Sequence, residues 1–149
     1  MHALSADHLE QSTEEEWHAF QQSGTIPIVL PGSSLGLGLP FAPARQILDA
    51  GLPLVIASDW NPGSAPMGNL LTQAALIGAA EKLSLGETLA AITSRAAAAL
   101  QLTDRGILEP GKRADFNIFL TNNWQEIFYA QGRLMPSQVF IGGECVLST

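Results

Sequence analysis

The sequence has 149 residues, with 14 acidic against 7 basic side chains, a formal net charge of −7 and an isoelectric point near 4.7. An acidic chain without a Lys/Arg cluster has no means of neutralising phosphates, which argues against a nucleic-acid partner. Hydrophobic residues reach 46% while charged ones stop at 14%, so the chain is globular rather than disordered, and part of its helix surface is expected to be covered by something else.

One cysteine, Cys145, excludes an internal disulfide and fits a reducing, cytoplasmic setting. Its place in a terminal strand suggests structural packing. No apolar run approaches the roughly 18–20 residues of a membrane span, so a membrane partner is not expected. The opening "MHALSADHLEQSTEEE" has neither a basic nor a long apolar region and does not read as a signal peptide.

In chain order, "HALSADHLE" is a short strand with a polar end. Ser12-Thr13 before Glu14-Glu15-Glu16 marks a capped helix start, Trp17 and Phe20 give it an inward face, and Gly24 stops it. "TIPIVLPG" is a second apolar strand, ended by Pro31-Gly32. "SSLGLGLP" reads as a Gly-rich loop and "FAPARQILDAG" as a helix, in which Arg45 can pair with Asp49 one turn on. The third strand, "LPLVIAS", runs into "DWNPGSAP". Two long helices are expected next, about Gly68–Leu83 and then Ser84–Leu100 with a Ser84/Glu87 capping box.

Apolar strands alternating with helices predict parallel βαβ units. After residue 100, "DRGILEPGKRADFNIFL" and "SQVFIGGECVLS" predict short strands, with a hairpin at Gly142-Gly143. The division is therefore a β/α part over residues 1–101 and a small β-rich part over 102–149. Three βα units are too few for a closed sheet. Either partner strands come from elsewhere or the chain belongs to a larger fold.

Asp59 is the first candidate for chemistry. A helix cap or Asx turn is the commonest job for Asp at a strand end. The alternative is a carboxylate at the C-terminal end of a barrel strand, able to bind a metal and accept a proton from water. Asn61, the Gly63 amide and Ser64 place hydrogen-bonding groups beside it, on a turn set by Pro62-Gly63. His8 ends another strand, flanked by Asp7 and Glu10; a lone His is more often a surface or core residue. His2 and His18 lack that context, and His18 is expected on a solvated helix face. "PGSSLGLGLPF" lacks GxGxxG spacing and a later ribose-binding acid, so it is not a dinucleotide loop.

"SADHLE", "TIPIVLPG", "ASDWNPGSAP", "TSRAAAAL" and "RGILEPGKRADFNIF" together resemble the C-terminal part of the imidazolonepropionases, within the metal-dependent amidohydrolase superfamily. The last block is similar to the superfamily's G-x-[IL]-x-x-G-K-x-A-D signature. The pair "DHLE" and D-x-N-P-G-[ST]-x-P, about fifty residues apart, selects the family. The resemblance implies an α/β fold: the last three strand-helix units of a (β/α)8 barrel of the TIM type, then the C-terminal strands of a composite β-sandwich.

It also implies the hydrolysis of 4-imidazolone-5-propanoate to N-formimidoyl-L-glutamate, a small-molecule reaction of histidine breakdown. Asp59 is similar to a Zn²⁺ or Fe³⁺ ligand that shuttles a proton, and His8 to a histidine stabilising the developing oxyanion. Asn61, Gly63 and Ser64 match a substrate-contacting turn, and the full-length enzyme is expected to be a homodimer. The family's His-x-His pair and its further His and Glu have no counterpart in this sequence. One carboxylate cannot hold such a metal, so the chain is expected to be a fragment, inactive by itself. The alternatives are part of another amidohydrolase, a deaminase or cyclic amidase, or a non-catalytic remnant.

Overall fold

The short apolar runs line up as one parallel sheet in the computed structural model, which describes residues 3–148. β1 (Ser5–Asp7), β2 (Ile26–Val29) and β3 (Val55–Ile56) stand in the order β1-β2-β3, with Ser5 opposite Ile26 and Ile28 opposite Val55. Parallel neighbours need crossovers. Helix α1 (Glu14–Ser23) supplies the first, and α2 (Pro31–Leu37) with α3 (Ala44–Asp49) the second. All three strands therefore release the chain at the same edge of the sheet.

Local signals set the first helix. The Thr13 amide donates to the Glu16 carboxylate at 2.8 Å, and Gly24 closes α1 in the left-handed region at φ +72°. Trp17 is buried, while His18 is exposed and bonded to the side chains of Gln21 and Gln22. Trp17, Val29, Ile47, Leu54, Ile56, Ile77 and Leu83 form the core between the sheet and its helices.

The structure corrects the expected loop at "SSLGLGLP". Residues 31–37 form helix α2, with Pro31 in its first turn and Gly38 capping it at φ +66°. Pro31, Gly32, Ser33 and Ser34 are all buried, and buried amides need partners that an irregular loop cannot give them. That requirement overrides the low helix propensity of glycine and serine.

The two long helices are also corrected. Helix α4 spans Leu70–Ala80, and its cap is Asn69, whose side chain accepts from the Thr72 amide at 3.0 Å. The second is broken into α5 (Leu85–Ala91) and α6 (Ser94–Ala99). Between them the Thr93 hydroxyl takes the Leu89 carbonyl at 2.6 Å, and ψ −94° at Thr93 turns the chain.

The antiparallel sheet joins β4 (Phe116–Ile118), β5 (Gln138–Ile141) and β6 (Glu144–Ser148) in that order. Gly142 and Gly143 make the hairpin, both at positive φ, as a two-residue turn of this twist requires. Phe116 stacks on Phe140 with ring centroids 4.5 Å apart. Asp115 ties the "GKRAD" loop to the hairpin by accepting from the Gly142 amide at 2.7 Å and from Arg113 at 2.8 Å. The Gly142 amide, then Arg113, holds its carboxyl below the usual range.

Two further differences concern the last third. A short helix, α7 (Glu126–Tyr129), lies between β4 and β5 and packs on α4, burying Phe128 in the main core. Cys145 is exposed rather than packed, because β6 is an edge strand exposed along its whole length.

Helices α3 and α5 are clamped by charge. Arg45 reaches both Glu87 oxygens, at 3.1 and 3.2 Å, and also bridges to Asp49 at 2.8 Å. The Arg45 guanidinium, followed by the Ser84 amide, holds the Glu87 carboxyl at about 2, against an ordinary 4.5. Because the folded value is the lower, this stabilisation is complete above the ordinary value and disappears as pH falls towards 2. Urea unfolding should place Glu87→Gln about 1 kcal/mol below wild type at pH 7, with the gap closing on acidification through that window. A gap unchanged down to pH 2 would contradict the clamp.

Candidate active site

The parallel sheet decides which residues can meet. His8 follows β1, and Asp59 lies three residues beyond β3, so both stand at the sheet's C-terminal edge. β2 lies between their strands, which separates them by two strand spacings, roughly 10 Å. The polar strand ends picked from the sequence are thus brought to one side of the fold. His2 lies outside the described residues.

Both residues sit on unusual backbone. His8 and Leu9 have φ of +75° and +74°, and Asp59 has φ +45°. Such conformations cost side-chain-bearing residues of order 1 kcal/mol or more and persist only where neighbours enforce them. At Leu9 the enforcement is visible. Its carbonyl accepts from the Ser12 amide at 3.0 Å and the Ser12 hydroxyl at 2.8 Å, and Ser12 in turn accepts from the indole of buried Trp17 at 2.9 Å.

Asn61 builds the second turn. Its Oδ1 accepts from the Gly63 and Ser64 amides at 2.8 and 2.9 Å, and its Nδ2 donates to the Asp59 carbonyl at 2.6 Å and to Ser64 Oγ at 3.0 Å. The Asn61 amide also reaches back to the carbonyl of buried Ala65 at 3.3 Å. So Asn61 does the turn-forming work that the sequence left open to Asp59. The Asp59 carboxylate, half-buried, has no hydrogen-bond or ion-pair partner among the described residues. Asn61, Gly63 and Ser64 hold the turn through the same groups that were expected to face a ligand.

Two elements of the site were not legible in the sequence. Glu10, whose side chain is only 10% exposed, has an oxygen 3.6 Å from His8 Nδ1 and accepts from Ser34 Oγ of α2 at 2.8 Å. The second is the glycine face of α2. A Cβ on Gly32 would come within 2.6 Å of the Gln73 side chain, and one on Gly36 within 1.8 Å of the Ser64 carbonyl oxygen. The glycines therefore let α2 lie directly against α4 and the Asp59 turn. The signal was their four-residue spacing, which puts them on one helix face.

Comparison with known proteins fixes the family. An amidohydrolase family model matches residues 10–146. The chain belongs to the amidohydrolase family. It is 42% identical to the imidazolonepropionase of Deinococcus radiodurans over 95% of its own length and 35% of that protein's. Against the imidazolonepropionase of Solibacter usitatus it is 37% identical over 97% and 35% respectively. It thus spans about a third of the length of these relatives. An adenosine deaminase from Xanthomonas campestris, solved with bound zinc, superposes with a TM-score of 0.81 and 30% identity over 97% of this chain and 37% of that one. The atrazine chlorohydrolase of Arthrobacter aurescens, complexed with zinc, shares the fold alone, at TM-score 0.79 and 23% identity over 97% and 36%. Both superpositions run through the parallel sheet and the β-rich part of this chain.

The packing makes a paired prediction. Gly36→Ala must push α2 off the Ser64 carbonyl and should lose about 2 kcal/mol. Gly86→Ala, on α5 with nothing within 4 Å of the added carbon, should be neutral or stabilising by about 0.5–1 kcal/mol. Thermal unfolding of the two variants tests this. Equal effects would refute the close approach.

Proposed function

We propose that the chain supplies the last three strand-helix units of a (β/α)8 barrel, and the C-terminal strands of a composite β-sandwich, in an imidazolonepropionase. The division lies near residue 101, with 1–101 in the barrel and 102–149 in the sandwich. Its open strand edges and exposed Leu100, Leu120 and Tyr129 fit a surface that further chain covers. The reaction is hydrolysis of the cyclic amide of 4-imidazolone-5-propanoate to N-formimidoyl-L-glutamate, in the cytoplasm, as a step of histidine degradation. The full-length enzyme acts as a homodimer.

The unpartnered carboxylate of Asp59 carries this reading. A buried or half-buried carboxylate normally finds a donor, and here Asn61 has taken over the turn and left Asp59 open. In the reaction Asp59 accepts the proton of the attacking water and passes it to the leaving nitrogen. His8, as the imidazolium with both ring nitrogens protonated, donates from Nε2 to the carbonyl oxygen and stabilises the negative charge that develops there. The Asn61-Gly63-Ser64 turn fixes the carboxylate's direction and lines the substrate's approach.

A metal, Zn²⁺ or Fe³⁺, belongs to this proposal through the family, and zinc is present in the solved adenosine deaminase and atrazine chlorohydrolase. The residues of this chain do not fit a complete centre. Among the described residues no three His, Cys, Asp or Glu side chains gather to hold an ion, whereas a catalytic zinc takes three protein ligands. Asp59 is one ligand of such a set, and none of the steps above passes through the metal. The 149-residue chain expressed by itself should therefore bind no stoichiometric metal and show no turnover.

A second reading has support of its own, because a deaminase stands among the close structural matches. The deciding experiment joins this chain to the preceding part of the Deinococcus radiodurans imidazolonepropionase and assays 4-imidazolone-5-propanoate beside adenosine and cytosine. Turnover of the imidazolone, falling by about 10³-fold or more in Asp59→Asn, is the expected result. Preference for a nucleoside or nucleobase overturns the assignment.

A further inference from the structure

The expected site residues omit Glu10, and the structure places it where it can govern His8. Its carboxylate is almost fully covered, yet among the described residues it has no Arg or Lys partner. Burying a carboxylate is expensive unless its charge finds partners. Its Oε1 has two, Ser34 Oγ at 2.8 Å and His8 Nδ1 at 3.6 Å. Ser34 is itself buried in α2, at 1% exposure, so the carboxylate's anchor cannot drift.

The backbone cooperates. His8 is 52% exposed, and an imidazole so placed ordinarily samples several rotamers and both neutral tautomers. Here its left-handed turn is pinned by the Trp17–Ser12–Leu9 hydrogen bonds, and its Nδ1 is turned towards Glu10. At 3.6 Å the contact is an ion-pair distance rather than a hydrogen bond. A carboxylate there still selects the tautomer, because a proton on Nδ1 attracts it while a bare Nδ1 lone pair repels it.

We infer that Glu10, locked by Ser34, is a positioning residue that holds His8 with Nδ1–H inward and leaves Nε2 directed to the active site. This rests on the reading of His8 as an active-site residue, and adds to it a carboxylate–histidine pair whose far end belongs to α2. A carboxylate that touches the far nitrogen of an imidazole orients the ring in this way at other catalytic centres.

The test reads the tautomer directly and needs no turnover. The 149-residue chain, with ¹⁵N-labelled histidine, is examined by long-range ¹H–¹⁵N NMR at pH 8.5, above the ordinary imidazole range, with His8 assigned by its loss in His8→Gln. The wild type should favour the Nδ1–H form by about threefold. Glu10→Ala and Ser34→Ala should return His8 towards the Nε2–H form that a free imidazole prefers, while Glu10→Gln, whose amide oxygen can still accept, keeps most of the bias. A wild type dominated by Nε2–H overturns the inference, as does an unchanged ratio in Glu10→Ala. If Glu10→Ala fails to fold, the wild-type ratio and Ser34→Ala decide. A positive tautomer result beside a joined protein that ignores the imidazolone would sink the enzymatic reading and leave the positioning intact.

Discussion

The close approach of α2 to its neighbours is the constraint on which the candidate site depends. The helix grows out of β2, the middle strand, and so lies between the chain ends of β1 and β3. Gly36 allows its backbone against the Ser64 carbonyl, and Gly32 allows it against Gln73 of α4. From the same helix Ser34 reaches across to Glu10. One seven-residue helix thus braces both the Asp59 turn and the turn that carries His8.

This bracing explains how three residues with side chains, His8, Leu9 and Asp59, can hold positive φ along one sheet edge. Each is unfavourable alone and would relax if its surroundings were soft. The surroundings are not soft there. Packing through glycine, the Trp17–Ser12 hydrogen bond and the Asn61 network over-determine the backbone. Away from this edge the fold is more open. Large apolar side chains such as Leu100, Leu120 and Tyr129 face outward, which is where the low charge content of the sequence appears.

Much of this was legible in the sequence, for physical reasons that can be named. The parallel strands followed from apolar runs alternating with helices. The α1 start, the Gly24 stop, the Ser84/Glu87 box and the Gly142-Gly143 hairpin followed from local capping and turn chemistry. Local rules failed where tertiary packing outweighed propensity. The α2 segment has the composition of a loop, and only its burial makes it helical. The break at Thr93 depends on one hydroxyl choosing a carbonyl, and α7 exists because Phe128 can reach the core. His8 and Asp59 were identifiable as strand ends, whereas the Glu10–Ser34 contact joins residues 24 apart and has no local signature.

The claim that α2 and the Asp59 turn form one rigid unit is tested most directly by native-state amide hydrogen exchange. The Ser64 amide, bonded to Asn61 beneath α2, should open with the same free energy as the Leu39 amide, which bonds to the Ser34 carbonyl at the end of that helix. Gly36→Ala should lower both together. Fast, independent exchange at Ser64 with a protected Leu39 would show that the turn moves freely of the helix, and would contradict the account.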